Sequence, residues 1–161
     1  MNAVILMASP KRNGRCARWA RELAAAYRSR GAEASVLAIC DLDIAGCRNC
    51  DGCRHAPEFR CVIEDDMAIV DDALKAADEL AIVSPVFFAG PPAQLKAVLD
   101  RLQPHFWRET RMRPKRPAAL YVVGDGGDPY GYEPLVAIVR SALAVGGFKV
   151  RSVETRIGST E

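Results

Sequence analysis

Four cysteines fall within fifteen residues, at Cys47, Cys50, Cys53 and Cys61, in the run C-R-N-C-D-G-C-R-H-A-P-E-F-R-C. Thiolates this close along a loop can turn toward one point, and sulfur donors select soft metal centres. A structural zinc site draws its cysteine pairs from two separated segments. Three cysteines at successive C-x2-C steps with a fourth nearby are instead how iron–sulfur proteins hold a cubane cluster. The pattern departs from that of ferredoxins, whose fourth cysteine comes three residues on and precedes proline. Here the gap to Cys61 is seven residues and contains Pro57. Zinc, and free or redox-sensing thiols, remain the competing readings.

The other titratable residues offer less. No Ser–His–carboxylate or H-E-x-x-H pattern is present, and His55 and His105 read as solvated side chains. Asp65 and Asp66 read as helix caps rather than metal ligands. Cys40 reads as a small buried residue rather than a fifth ligand, and Cys16 as helix packing, with a lowered pKa only if exposed at a helix start.

The elements that must position these residues alternate along the chain. Continuous apolar runs at Ala3–Met7, Ser35–Ile39, Leu80–Val83, Ala118–Val123 and Phe148–Val153 predict five buried strands. Helical spacing predicts helices over about Gly14–Arg30, Met67–Ala77, from Pro92 onward, and Glu133–Val145. This order implies right-handed crossovers and one doubly wound α/β domain with a parallel sheet. The chain stops soon after the fifth strand, without the last helix such a domain would add. An apolar sheet face open to water is therefore expected, covered by another subunit or by the tail Arg156–Glu161, with oligomerisation favoured.

With 161 residues, half of them hydrophobic, the chain suits one domain, and its net charge of +2 gives no reason to expect nucleic acid. The apolar start Ala3–Ala8 is short, lacks a preceding basic region and runs into Ser9-Pro10-Lys11-Arg12, unlike a signal peptide. No stretch reaches membrane-spanning length. A reducing cytoplasm is the expected compartment, with no membrane partner.

Ligands of such sheets bind beyond the carboxyl ends of the strands. The loop Ala8–Cys16 supplies a hydroxyl, cations, a glycine and a helix start, which suit a phosphate or an ordinary polar turn. It lacks Walker A spacing. Ser84–Gly90 is apolar and aromatic, a poor surface unless something flat or a subunit rests on it. Gly124–Tyr130 is glycine-rich, but Pro129 breaks the G-x-G-x-x-G fingerprint, so a Rossmann dinucleotide site is rejected.

These strings occur in a recognisable order: Ser9-Pro10-Lys11-Arg12-Asn13-Gly14, the loop Cys47–Cys61, Val62–Met67, and Ser84-Pro85-Val86-Phe87-Phe88 through Gln94–Arg101. Over about residues 2–127 the chain resembles the flavodoxin-like NAD(P)H-dependent FMN reductases, specifically their iron–sulfur flavoprotein branch. The resemblance implies a flavodoxin-like five-stranded fold and an FMN-dependent oxidoreductase with NAD(P)H as possible donor. It implies that Ser9, Lys11, Asn13, Gly14, Arg15 and Cys16 surround the FMN phosphate. Pro85, Val86, Phe87 and Phe88 would hold the isoalloxazine ring, with Gly124, Asp125 and Gly126 on its other side. Arg15-Cys16 stands where the family commonly has Asn-Thr or Asn-Ser, which replaces a hydroxyl by a guanidinium. The resemblance further implies a [4Fe–4S] cluster on Cys47, Cys50, Cys53 and Cys61. It also implies a homodimer or homotetramer in which one subunit's cluster lies near a neighbour's flavin. No side chain need act as acid or base.

Trp107, Tyr130 and Tyr132 are candidates to line the flavin or an interface, with core packing open for Trp107. The basic stretch Arg108, Arg111, Arg113, Lys115, Arg116 reads as a solvated loop; docking of an acidic ferredoxin or an NADPH phosphate are the alternatives.

Overall fold

The computed structural model describes residues 1–158 apart from the Arg111 side chain, so Arg111's predicted role and the tail residues 159–161 lie outside the described residues. The elements run β1 (Asn2–Met7), α1 (Arg15–Ser29), β2 (Glu33–Ala38), α2 (Gly52–His55), α3 (Met67–Ala76), β3 (Glu79–Pro85), α4 (Ala93–Asp100), α5 (Gln103–Trp107), β4 (Arg116–Gly124), α6 (Glu133–Val145) and β5 (Phe148–Ile157). The sheet is wholly parallel with the order β2-β1-β3-β4-β5, the flavodoxin-like arrangement expected. No helix among the described residues is long and apolar enough to cross a membrane.

The central strands are apolar throughout because both of their faces are covered. Val4 and Leu6 point into a core shared with α3, α4 and α6, while Ala3, Ile5 and Met7 point the other way, against α1. The strand order turns about β1, with β2 on one side and β3 on the other. The carboxyl ends of β1 and β3 therefore mark the topological switch point, where a cleft opens between diverging connections.

No helix follows β5 among the described residues, and α1 lies on that face of the sheet. The expected apolar patch is nevertheless not found. A bulge between the partners of Ala118 and Ala119 sets Ser152, Glu154 and Arg156 beside Ala119, Tyr121 and Val123, so this face of β5 is polar. Trp19 of α1 reaches across to Tyr121 in an edge-to-face contact at 5.0 Å. Arg156 lies over the Trp19 ring at 4.1 Å and donates to Glu22 at 2.7 Å. Ala119, Tyr121 and Val123 are consequently only 7%, 7% and 3% exposed. One large aromatic does part of the work of a helix here.

Two further expectations are corrected along α3. His105 is buried rather than solvated, with Nε2 2.7 Å from Asp71. The basic stretch is largely engaged: Arg108 binds Asp71 at 3.3 Å, and Arg116 donates to Leu74 and Ala77 carbonyls at 2.7 and 2.6 Å. Arg116 thus satisfies the C-terminal carbonyls of α3, where a positive charge also opposes the helix dipole. Burial pushes the Asp71 carboxyl up, but bonds from His105 and Lys75 and the charge of Arg108 outweigh it and hold the group far below the usual range.

Two outcomes are expected. Trp19→Ala should lower unfolding stability by about 3–5 kcal/mol, read by denaturant titration. Because its folded pKa is depressed, Asp71 contributes stability above its unfolded value of about 3.9, and this is lost as pH falls below that value. The stability gap between wild type and Asp71→Asn should therefore narrow on acidification below about pH 4.

Candidate functional site

Three loops meet at the switch point. The first follows β1, and its base is tied to β3 by the Ala8 N–H donating to the Val83 carbonyl at 2.8 Å. Ser9 Oγ accepts the Lys11 N–H at 3.1 Å, which folds the chain back toward the start of α1. At that start Gly14 occupies the N-cap with no side-chain capping bond, and the first turn holds no acidic residue. Its N–H groups are thus not claimed by a side-chain cap, as anion binding at a helix N-terminus requires. Lys11, Asn13 and Gly14 stand exposed around it.

Arg15 and Cys16 depart from a simple phosphate role. Arg15 donates to the Gly124 carbonyl at 3.3 Å and pairs with Asp125, so its guanidinium bridges the first and third loops. The Cys16 side chain is buried with Trp19 and Ala20, and burial pushes its thiol up to about 11. Cys16 can therefore meet an anion only through its backbone.

The second loop is tied to the third by the Val86 N–H and Val123 carbonyl, at 2.9 Å. Phe87 and Gly90 exchange backbone bonds around a tight turn in which Phe88 and Ala89 take left-handed φ values of 51° and 60°. That turn leaves Pro85 and Val86 half-buried, Phe87 exposed and Phe88 fully exposed. On the third loop a Cβ at Gly124 would stand 3.0 Å from Ile157 Cδ1 and 3.6 Å from Val86 Cγ2, so glycine permits the close approach. Asp125, Gly126 and Tyr130 are exposed beyond it, and Tyr132 packs against the helical core. The predicted flavin residues are therefore brought together, and their exposed apolar rings and uncapped helix start suit a flat ring with an anionic tail.

The cysteine loop forms a second site. Cys47, Cys50, Cys53 and Cys61 line one pocket with Ile63, Arg101 and Pro104. None of its lining residues belongs to the strand-end loops. The four thiols carry no disulfide. No three His, Cys, Asp or Glu side chains among the described residues close on a single metal ion. The backbone is tightly wound: Asn49, Asp51, Glu58 and Phe59 all take left-handed φ values. Gly52 sits where a Cβ would meet Val62 Cγ2 at 2.7 Å, which packs the start of α2 against the end of the loop. The Asn49 N–H donates to Cys47 Sγ at 3.4 Å. Burial, then the neighbouring Cys61, pushes the Cys53 thiol up, and the Trp107 indole opposes that rise.

Both stems of this loop end on one buried ion pair. Arg101 meets Asp65 at 2.7 and 3.0 Å, with the two side chains 1% and 10% exposed. The same guanidinium donates to the Ala45 carbonyl at 2.8 Å and the Ile63 carbonyl at 3.2 Å. Asp65 also accepts the Ala45 and Met67 N–H groups, each at 3.0 Å. The expected capping role of Asp65 is thus real but is one part of a clamp. Burial raises the Asp65 pKa, and the bonds from Arg101, Ala45 and Met67 more than offset that, leaving it below the ordinary range.

Arg101 went unassigned in the sequence, whose only signal is its adjacency to Asp100 in the matching string. Trp107 lies by the cysteine loop rather than the strand-end loops, with Arg54 over its ring at 4.9 Å. Arg101→Ala leaves Asp65 buried without its partner and should cost about 3–5 kcal/mol. Limited proteolysis of that variant should cut within residues 47–61 sooner than in wild type.

Residues 1–155 match the NADPH-dependent FMN reductase family. An iron-sulfur flavoprotein of Methanosarcina thermophila is 29% identical over 150 residues, covering 93% of this chain and 76% of that protein. One from Methanocaldococcus jannaschii is 32% identical over 104 residues, covering 65% of this chain and 53% of that protein. The chain thus spans about three quarters of the first relative's length and half of the second's. Among solved structures, an FMN-dependent NADH-azoreductase from Bacillus anthracis in complex with FMN superposes with a TM-score of 0.73. It is 14% identical, covers 98% of this chain and 88% of that one, and shows likeness of fold. On the match along nearly its whole length, the chain belongs to the NADPH-dependent FMN reductase family and is an FMN-dependent oxidoreductase.

Proposed function

We propose that this protein passes electrons among NAD(P)H or a [4Fe–4S] cluster, FMN and an acceptor, in the manner of an iron–sulfur flavoprotein. The observation that carries this reading is that all four cysteines of the loop line one pocket whose stems are clamped together by Arg101 and Asp65. Names of relatives point the same way, since two of the similar proteins are iron-sulfur flavoproteins.

The residues divide the work. First-turn N–H groups of α1, with Ser9, Lys11, Asn13 and Gly14, would hold the phosphate, joined by the backbone of Cys16. Arg15, held by Asp125 and Gly124, fixes the third loop against the first. Pro85, Val86, Phe87 and Phe88 would meet one side of the ring, with Gly124, Asp125 and Gly126 at the other. Cys47, Cys50, Cys53 and Cys61 would ligate the cluster. When bound, FMN supplies two-electron chemistry with a nicotinamide and one-electron chemistry with an iron–sulfur centre. A homodimer or homotetramer that sets one copy's thiol pocket beside another's flavin loops is part of this reading, on the resemblance to iron–sulfur flavoproteins.

A cluster-free NAD(P)H-dependent FMN or quinone reductase is the second reading. The lack of a thiol group closing on a single ion among the described residues favours it.

Anaerobic purification with iron, sulfide and FMN assays separates the two. The first reading expects about four irons and one FMN per chain, with iron lost and FMN retained in Cys53→Ser. Flavin bleached by NAD(P)H in protein that takes up no iron, even after reconstitution, would establish the second. Protein that takes up neither cofactor would overturn both.

A further inference from the structure

Two buried side-chain donors among the described residues have no hydrogen-bond partner: Nε of Arg101 and Nε1 of Trp107. Buried N–H groups are nearly always satisfied, so an unmet pair calls for a physical account. Arg101 lines the cysteine pocket together with Cys61. Trp107 lies beside it under Arg54, the residue after Cys53, where its indole opposes the rise of the Cys53 thiol. Neither donor is loosely placed. Trp107 is held between Arg54, at 4.9 Å over its ring, and Phe106, edge-to-face at 5.0 Å. The Asp65, Ala45 and Ile63 bonds fix Arg101.

We propose that Arg101 and Trp107 raise the reduction potential of the cluster by directing N–H groups at its cysteine sulfurs, Trp107 at Cys53 and Arg101 at Cys61. This rests on the cluster reading above. Four thiolates make the centre strongly anionic, and reduction adds a further electron. N–H groups aimed at the ligand sulfurs stabilise the more negative state, so hydrogen bonding to sulfur is one of the levers on cluster potential. The Asp65 carboxylate offsets much of the Arg101 charge, which leaves direction of the N–H as the larger part of its effect. With the backbone bond from Asn49 to Cys47, three of the four sulfurs have a donor beside them, while Cys50 stands at the exposed rim. Arg101 and Trp107 act through the cysteines and are positioning residues.

The test is a dye-mediated redox titration of anaerobically reconstituted wild type and Trp107→Phe, followed by the electron paramagnetic resonance of the reduced cluster. Phenylalanine keeps one aromatic ring at the site and removes the N–H together with the indole's second ring. At a fixed applied potential the reduced-to-oxidised ratio should fall about tenfold, a downward shift of about 59 mV for a one-electron couple. Trp19→Phe, across the sheet, should leave it unchanged. An unchanged potential at wild-type iron content, or an equal shift in Trp19→Phe, would overturn the proposal. If Trp107→Phe does not load iron, resonance Raman of the wild type decides: iron–sulfur stretches should move on exchange into D2O, and invariant bands would refute it. Wild type that takes up no iron sinks the cluster reading itself, and this inference with it.

Discussion

The buried pair of Arg101 and Asp65 is the constraint on which the second site depends. Residues 46–62 carry little core of their own, and their backbone includes four non-glycine residues in left-handed conformations. Such a segment does not hold a shape through local propensity. It is held because one guanidinium grips the carbonyl two residues before Cys47 and the carbonyl two residues after Cys61, and one carboxylate fixes that guanidinium. Buried ion pairs are weak sources of net stability, since desolvation consumes most of their attraction. Their strength lies in geometry. A bidentate contact with further bonds to backbone admits one arrangement of the stems, so the thiols share a pocket.

The strand-end loops are built on a different principle. They hang from three adjacent parallel strands, and backbone bonds between neighbouring strand ends set their spacing before any side chain acts. Strain appears here too, at Phe88 and Ala89. Of the seven non-glycine residues with left-handed φ among those described, six lie in the cysteine loop or the aromatic loop. Unfavourable backbone concentrated where function is proposed, and nearly absent from the helices and strands, fits a rigid scaffold carrying two over-determined loops.

Much of the scaffold was legible because its signals are local. Apolar runs such as Ala3–Met7 and Leu80–Val83 announce strands covered on both faces, and Gly14 and Gly31 bracket α1. The flavin loops could be found by their place after strands. What could not be read was set by contacts between distant positions. Arg101 meets a carboxylate 36 residues away, and His105 one 34 residues away, and no periodicity reports either. Asp65 looked like a cap because capping is the part of its role that is local. Trp107 carries no sequence signal for its indole N–H. The polar face of β5 was readable in principle, since Ser152, Glu154 and Arg156 alternate after the bulge, but the bulge that sets their phase was not.

That same strand has a consequence for how copies of the chain can meet. β5 is a ten-residue outer strand, long enough to recruit a strand from another molecule and grow an endless ribbon. Its irregular pairing spoils the regular ladder that such growth needs, and the charged side chains of Lys149, Arg151, Glu154 and Arg156 along it oppose burial against another strand. Association by sheet extension at this edge is discouraged.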